Sequence, residues 1–363
     1  MIGVKQAAHR VDGNRFWAVL IGIDGYNSSP LRGCVADVEK MKDFLTVDLG
    51  VPEDHIRCLV SRQPSARSSG TPSHLGRLTE TYSHYFPTWS NRTSLSQEHH
   101  TDDDANSPTR ANIVDALLSL SVDPGIQRGD NITIYFSGHG STYFCADYYT
   151  DEIESTGCIE AICPVDRAPR NSFLGSIPDI SDREFNTILA EISRTKGHHI
   201  TCILDCCHSS SATRDPNEQS YRVRSARPLP PVSIHDMLDA AHRRLKGLKN
   251  YRNIHDGDWS PDMTTHVILA ACQETEHAKE HERENGCNGI FTQALVEALK
   301  SDRLNAGSTY RDLIHTLRLL PSTAQVPVVA GRHIDERLWY KSSGGVYAFR
   351  FIFIANDAEA WSD

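Results

Sequence analysis

Residues 16–23 read FWAVLIGI, a nearly unbroken apolar run of strand length, and strand-like segments return at 56–60, 131–136, 200–204 and 266–271. Between them the apolar residues repeat at helical spacing. Val38, Met41, Phe44 and Leu45 share one face, as do Ile113, Ala116, Leu117 and Leu120, and then Phe185, Ile188, Leu189 and Ile192. Thr109 stands where a side-chain oxygen can cap the second of these helices. Two more helices are read from Gly289 to Leu299 and from Ser308 through Leu313, Ile314 and Leu317, and a weaker strand at 159–163. Strand and helix in alternation predict an α/β fold of three layers, with a mainly parallel sheet of about six strands covered by helices on both faces.

Two polar stretches interrupt the pattern. Residues 61–107 are rich in Ser, Thr, Pro, His and Asp and read as an inserted loop. From 209 to about 262 a second stretch carries Arg214, Arg222, Arg224 and Arg227, then an amphipathic helix with Ile234, Met237, Leu238 and Ala241 in register. The chain thus divides into an extension at 1–14, a large block at 15–210, a linker at 211–262, a small block at 263–345 and a tail at 346–363.

A net charge of −10 argues against a nucleic-acid or anionic-membrane partner and favours basic ligands. The opening MIGVKQAAHR has no secretory pattern and no run is long enough to span a membrane, so a cytoplasmic protein is expected. The ten cysteines lack disulfide-framework spacing; most read as reduced core thiols.

In a parallel sheet functional groups gather beyond the carboxyl ends of strands. Strand 131–136 runs into Ser137-Gly138-His139-Gly140, and strand 200–204 into Asp205-Cys206-Cys207-His208-Ser209. If the two strands are neighbours, an imidazole faces a thiol, and a base beside a thiol makes the reactive thiolate available. The amides of Gly140 and Cys207 could then donate to a developing oxyanion. The bland reading is a Gly-His-Gly turn and a buried cysteine. Zinc held by Cys206, Cys207, His208 and His139 is the other reading, but adjacent residues rarely ligate one ion and no C-x-x-C pair occurs.

The segments FWAVLIGIDGY, LRGCVADVEKMKDFL, PTRANIVDAL, YFSGHGS, ICPVD, ITCILDCCHSS, HVILAACQETE, NGIFTQALVEAL and TYRDLI, in this order, resemble the caspase-family peptidases. The likeness is greatest to metacaspases, above all to the caspase domains of fungal proteins. The resemblance implies a caspase-like sandwich, His139 as base and Cys207 as nucleophile, with Cys206 in the motif's small-residue place. It implies a primary specificity pocket at Cys34, Asp37, Ser137 and Asp205. Two carboxylates there would select Arg or Lys, and a substrate aspartate would be repelled. For Asp37 the bland alternative is a solvated helix face, and for Asp205 a strand-end cap.

Many metacaspases need calcium. Here the expected acid pairs read Ile159-Glu160 and Asp182-Arg183, leaving Glu160, Asp182 and Asp215 as a weak site, so no cofactor is expected to be required. Ser210 replaces the family's usual glycine. The implied activity is endopeptidase cleavage of protein or peptide substrates through an acyl-thioester, with self-processing in the linker; the sequence does not give the oligomeric state, and a monomer is favoured. The rival is a caspase-fold binding or signalling module that has lost activity.

Overall fold

The computed structural model describes residues 11–63, 105–145, 158–169, 171–172, 175–207, 221–273, 276–283, 286–318 and 325–339. Six strands make the main sheet: β1 (Phe16–Ile23), β2 (Ile56–Ser61), β3 (Asn131–Ser137), β7 (Ile200–Asp205), β9 (Val267–Ala270) and β12 (Val328–Ala330). Their order is β12-β9-β7-β3-β1-β2, parallel except for β12 at the edge.

Alternate side chains of a strand face opposite ways, so an unbroken apolar run needs cover on both sides. Phe16, Ala18 and Leu20 of β1 pack with Val38 and Met41 of α1 (Cys34–Asp43), Phe291 and Leu295 of α5 (Ile290–Lys300) and Leu313 and Leu317 of α6 (Tyr310–Arg318). Val19, Ile21 and Ile23 turn the other way, onto Ile113 and Leu117 of α2 (Arg110–Val122) and Ile188 and Ile192 of α3 (Asp182–Lys196). The three predicted layers are present.

Local capping sets the helix starts. Thr109 Oγ1 accepts from the Asn112 amide at 3.3 Å, and Ser181 Oγ from the Glu184 amide at 3.1 Å. At α6 the cap is Thr309 rather than Ser308: Thr309 and Asp312 exchange bonds of 2.9 and 3.2 Å, a reciprocal box that moves the start by a residue.

The strand read at 159–163 leaves the main sheet. As β5 (Cys158–Ile162) it pairs antiparallel with β4 (Gly140–Phe144) and β6 (Ile180–Ser181). Its Ile159 and Ala161 join Tyr143 in a satellite core closed by Ile234, Met237 and Leu238 of α4 (Ser233–Leu245), the amphipathic helix of the linker. The sixth main strand is instead β12, three residues behind Pro327, too short for periodicity to mark. A third sheet joins β8 (Tyr221–Val223), β10 (Lys279–Arg283) and β11 (Gly286–Gly289), all antiparallel. From 221 onward the linker forms β8 and α4. The inserted stretch at 64–104, His208, Ser209, Ser210, Arg214 and Asp215 lie outside the described residues.

Candidate active site

β3 and β7 are paired in parallel with Ser137 opposite Asp205, so His139 and Cys207 follow neighbouring strand tips, as the sequence suggested. At Gly138 a Cβ would lie 2.7 Å from Tyr26 Oη and 2.8 Å from Phe136 Cζ; only glycine allows that approach. The approach fixes the histidine's backbone. Its amide donates to Tyr26 Oη at 3.0 Å, and Tyr26 in turn donates to the Cys163 carbonyl at 2.9 Å.

The imidazole is fixed as well. Nε2 lies 2.7 Å from the carbonyl of Ser29, which only accepts, so Nε2 carries the proton and Nδ1 keeps its lone pair. Nδ1 is buried and has no hydrogen bond of good geometry among the described residues. Ser29 holds this carbonyl in place with a φ of 58°, left-handed for a serine, a strain typical of functional loops. Burial pushes His139 down to about 4, against the Ser29 and Arg224 carbonyls, so the ring is neutral.

The four residues expected to line a pocket do converge, and the pocket holds a side chain of the same protein. The Arg224 guanidinium, fully buried, lies 2.6 Å from Asp37 Oδ2 and 2.8 Å from Asp205 Oδ2, donates to Ser137 Oγ at 2.9 Å, and is 3.7 Å from Glu280 Oε2. Cys34 is buried beside this charge, and burial raises its thiol well above the ordinary range. Asp37 is not on a solvated face and Asp205 does more than end a strand: both side chains are wholly buried. The Gly289 amide donates to Asp37 at 3.0 Å, and Thr292 donates to Asp205 through Oγ1 at 2.6 Å. Burial pushes Asp37 up to about 7 even though the Arg224 guanidinium pulls the other way.

Gly289 makes the floor. A Cβ there would sit 2.4 Å from Asp205 Oδ2 and 2.5 Å from Arg224 Nη1. The carboxylate of Glu280 braces the wall by accepting the Gly33 amide at 3.0 Å and the Arg32 amide at 3.1 Å.

The amides of Gly140 and Cys207, expected to be available to an oxyanion, are both taken. Each donates to the Arg224 carbonyl oxygen at 3.1 Å. Upstream of Arg224, β8 runs along β10 with Val223 opposite Lys279, and the Arg224 amide donates to the Ala278 carbonyl at 3.0 Å. Downstream, the Ala226 amide donates to the Gly140 carbonyl at 2.8 Å. The linker thus lies through the cleft as an added strand.

Cys207 Sγ donates to the Ala278 carbonyl at 3.2 Å and accepts from the Ala278 amide at 2.8 Å. Burial, then contact with the Cys272 thiol, raises it well above the ordinary range and keeps it protonated. Cys206, its neighbour, is buried in the opposite core layer.

Beside β5 the possible cation ligands are poor. Burial pushes Asp182 up to about 7, and Glu160 adds to the push. The adjacent Arg183 donates to the Ile254 and Asp256 carbonyls at 2.6 and 2.9 Å and lies over the Trp259 ring. Among the described residues this offers two carboxylates and a fixed guanidinium, fewer oxygens than the six or more that calcium takes.

Residues 15–338 match the profile of the Caspase domain. The chain belongs to the caspase-domain family. Within that family it is metacaspase-like. It is 29% identical over 204 residues to Metacaspase-1 of Eremothecium gossypii, covering 55% of this chain and 33% of that protein. To Metacaspase-3 of Arabidopsis thaliana it is 27% identical over 195 residues, 53% and 40% of the two chains. To Metacaspase-1A of Aspergillus niger it is 23% identical over 320 residues, 83% and 66%. The chain therefore spans a third to two thirds of the length of these relatives. A crystallised protein of Geobacter sulfurreducens shares the fold at 16% identity and TM-score 0.50, covering 87% of this chain and 93% of its own.

Four contributors escaped the sequence reading: Ser29, Glu280, Gly289 and, in its role, Arg224. The last was visible only as one arginine among several in a polar stretch. Gly289 was the most accessible to inference, since it precedes an apolar helix with no side chain to cap it. Among the described residues no helix is long and apolar enough to cross a membrane.

Proposed function

We propose that this chain is a cysteine endopeptidase that cleaves after Arg or Lys, with Cys207 as nucleophile and His139 as base, and that its first substrate is its own linker at Arg224-Ser225. One observation carries the reading: Arg224 has its guanidinium among carboxylates and its carbonyl oxygen between two amides. Those are the contacts a cleaved arginine would make.

In the reaction His139 Nδ1 takes the Cys207 proton and the sulfur attacks the Arg224 carbonyl carbon. The oxygen, gaining negative charge, is held by the Gly140 and Cys207 amides. The C–N bond breaks, the proton passes from His139 to the departing Ser225 amine, and an acyl-thioester remains. Water, deprotonated by His139, then releases the Arg224 carboxylate and restores the thiol. In the resting geometry the thiol is turned to Ala278 and protonated, so the seated linker also shuts the cleft. Calcium is not required in this reading, because Arg183 stands where an acidic ligand would be; activity should persist in a chelator.

The grip of Ala278 on Cys207 favours a second reading, in which Arg224 is a permanent plug and the domain only binds. Fluorogenic peptides ending in Arg or Lys, with mass spectrometry of the chain itself, separate the two. The peptidase reading expects turnover lost in Cys207→Ala and kept in Cys206→Ala, and a fragment beginning at Ser225 that is missing in Arg224→Gln. Folded protein without turnover and with an intact linker would leave only the binding module.

A further inference from the structure

The end of the sheet away from Cys207 carries a second convergence of polar side chains. His198 lies in the turn between α3 and β7; His333 and Glu336 lie in the segment after β12. Each offers one ligand atom within 4.8 Å of the others. The two imidazoles are stacked, centroids 4.2 Å apart at 17°. His333 Nδ1 is 2.6 Å from Glu336 Oε1, and His198 Nε2 is 3.5 Å from Glu336 Oε2.

The far side of the His333 ring gives a second, independent sign. Its Nε2 lies 2.8 Å from the Thr264 carbonyl, which only accepts, so Nε2 carries the ring proton. Nδ1 is then the ring nitrogen that faces Glu336 Oε1, and the one an ion between them would take. An N–H donated to a carbonyl from the nitrogen opposite is also how proteins fix the tautomer and aim of a metal-binding histidine.

We infer that His198, His333 and Glu336 form a binding site for a zinc-class divalent transition ion. Two imidazole nitrogens and a carboxylate oxygen are a nitrogen–oxygen set such ions accept, with water as a fourth ligand. Bonds of about 2.0–2.2 Å require the nitrogen and oxygen atoms to separate or close by roughly an ångström. The side chain of Glu336, 43% exposed, has room for that. The ion would join the large block, through His198, to the small block, through His333 and Glu336. It lies roughly 20 Å along β7 from Cys207, so the site is independent of the peptidase reading. Its consequence is mechanical: the two blocks stay pinned at this edge whether or not the linker between them is cut.

Cobalt titration of the full chain tests it, because cobalt reports its ligands and ten cysteines could otherwise compete for zinc. The expected result is one tightly bound cobalt ion with visible d–d absorption and no thiolate charge-transfer band, displaced by zinc, with a Tm that rises on loading. His198→Gln, His333→Gln and Glu336→Gln should each weaken binding by more than about tenfold, with circular dichroism and metal-free Tm unchanged. Failure of the folded wild-type chain to take up cobalt or zinc would overturn the proposal. So would a bound ion that shows the thiolate band and is unaffected by His333→Gln.

Discussion

Arg224 and Arg183 are both buried arginines at the boundary between the linker and the rest of the domain, and they are held in opposite ways. Arg224 is linker residue inserted into the domain, and its charge is met by Asp37, Asp205 and Glu280. Burial alone would lower its pKa, but these carboxylates hold it well above the ordinary value. Arg183 is domain residue reaching outward; it grips two neutral carbonyls of the linker and lies over an indole. Removing the first from its pocket would leave buried negative charge that another cation must satisfy. Removing the second gives up two linker carbonyls and the face of Trp259, neutral groups that need no replacement cation. In the proposed peptidase the first contact is exchangeable for a basic ligand. The second fastens the end of the linker for good.

Substitutions test that contrast from its strongest limb to its weakest. Asp205→Ala removes half of the carboxylate pair and should lower kcat/KM for peptides ending in Arg by about hundredfold or more; undiminished cleavage would break the idea of an exchangeable site. Arg183→Ala should leave cleavage after Arg nearly intact while costing about 2–3 kcal/mol in denaturant unfolding. Equal losses of activity and stability in both variants would erase the distinction. Gly289→Ala places a methyl group where Asp205 and the guanidinium already meet, and kcat/KM for Arg peptides should fall about tenfold through KM.

The smallest effect concerns pH. Asp182 is pushed up to about 7 in the folded chain from an ordinary value near 3.8, chiefly by burial. The fold therefore holds this proton more tightly than the unfolded chain does. That gain is full below about pH 4 and is lost as pH rises through 7. Asp182→Asn lacks the loss, so its stability advantage over wild type should widen from acid to neutral pH, to on the order of 2 kcal/mol. A constant difference across that range in thermal unfolding would show that Asp182 stays ionised beside Arg183.

Much of the fold is written in local pattern. The unbroken run at β1, the alternation of its faces between two helical layers and the caps at Thr109 and Ser181 depend on neighbours in sequence, so periodicity reads them. The same holds for His139 and Cys207, whose strands end in recognisable turns. β5 was read as a strand but could not be assigned to its sheet, since pairing with β4 rather than β3 depends on partners remote in sequence. β12 was not read at all, because three residues behind a proline carry too little pattern.

The chain by itself determined the layers and the turns that follow β3 and β7, while the set Cys34, Asp37, Ser137 and Asp205 came from the resemblance to caspase-family peptidases. Only the tertiary structure decided what fills that pocket and which amides are occupied. A guanidinium stays buried only where carboxylates from separate segments converge on it, and that convergence exists only once Asp37, Asp205 and Glu280 have been brought together by folding.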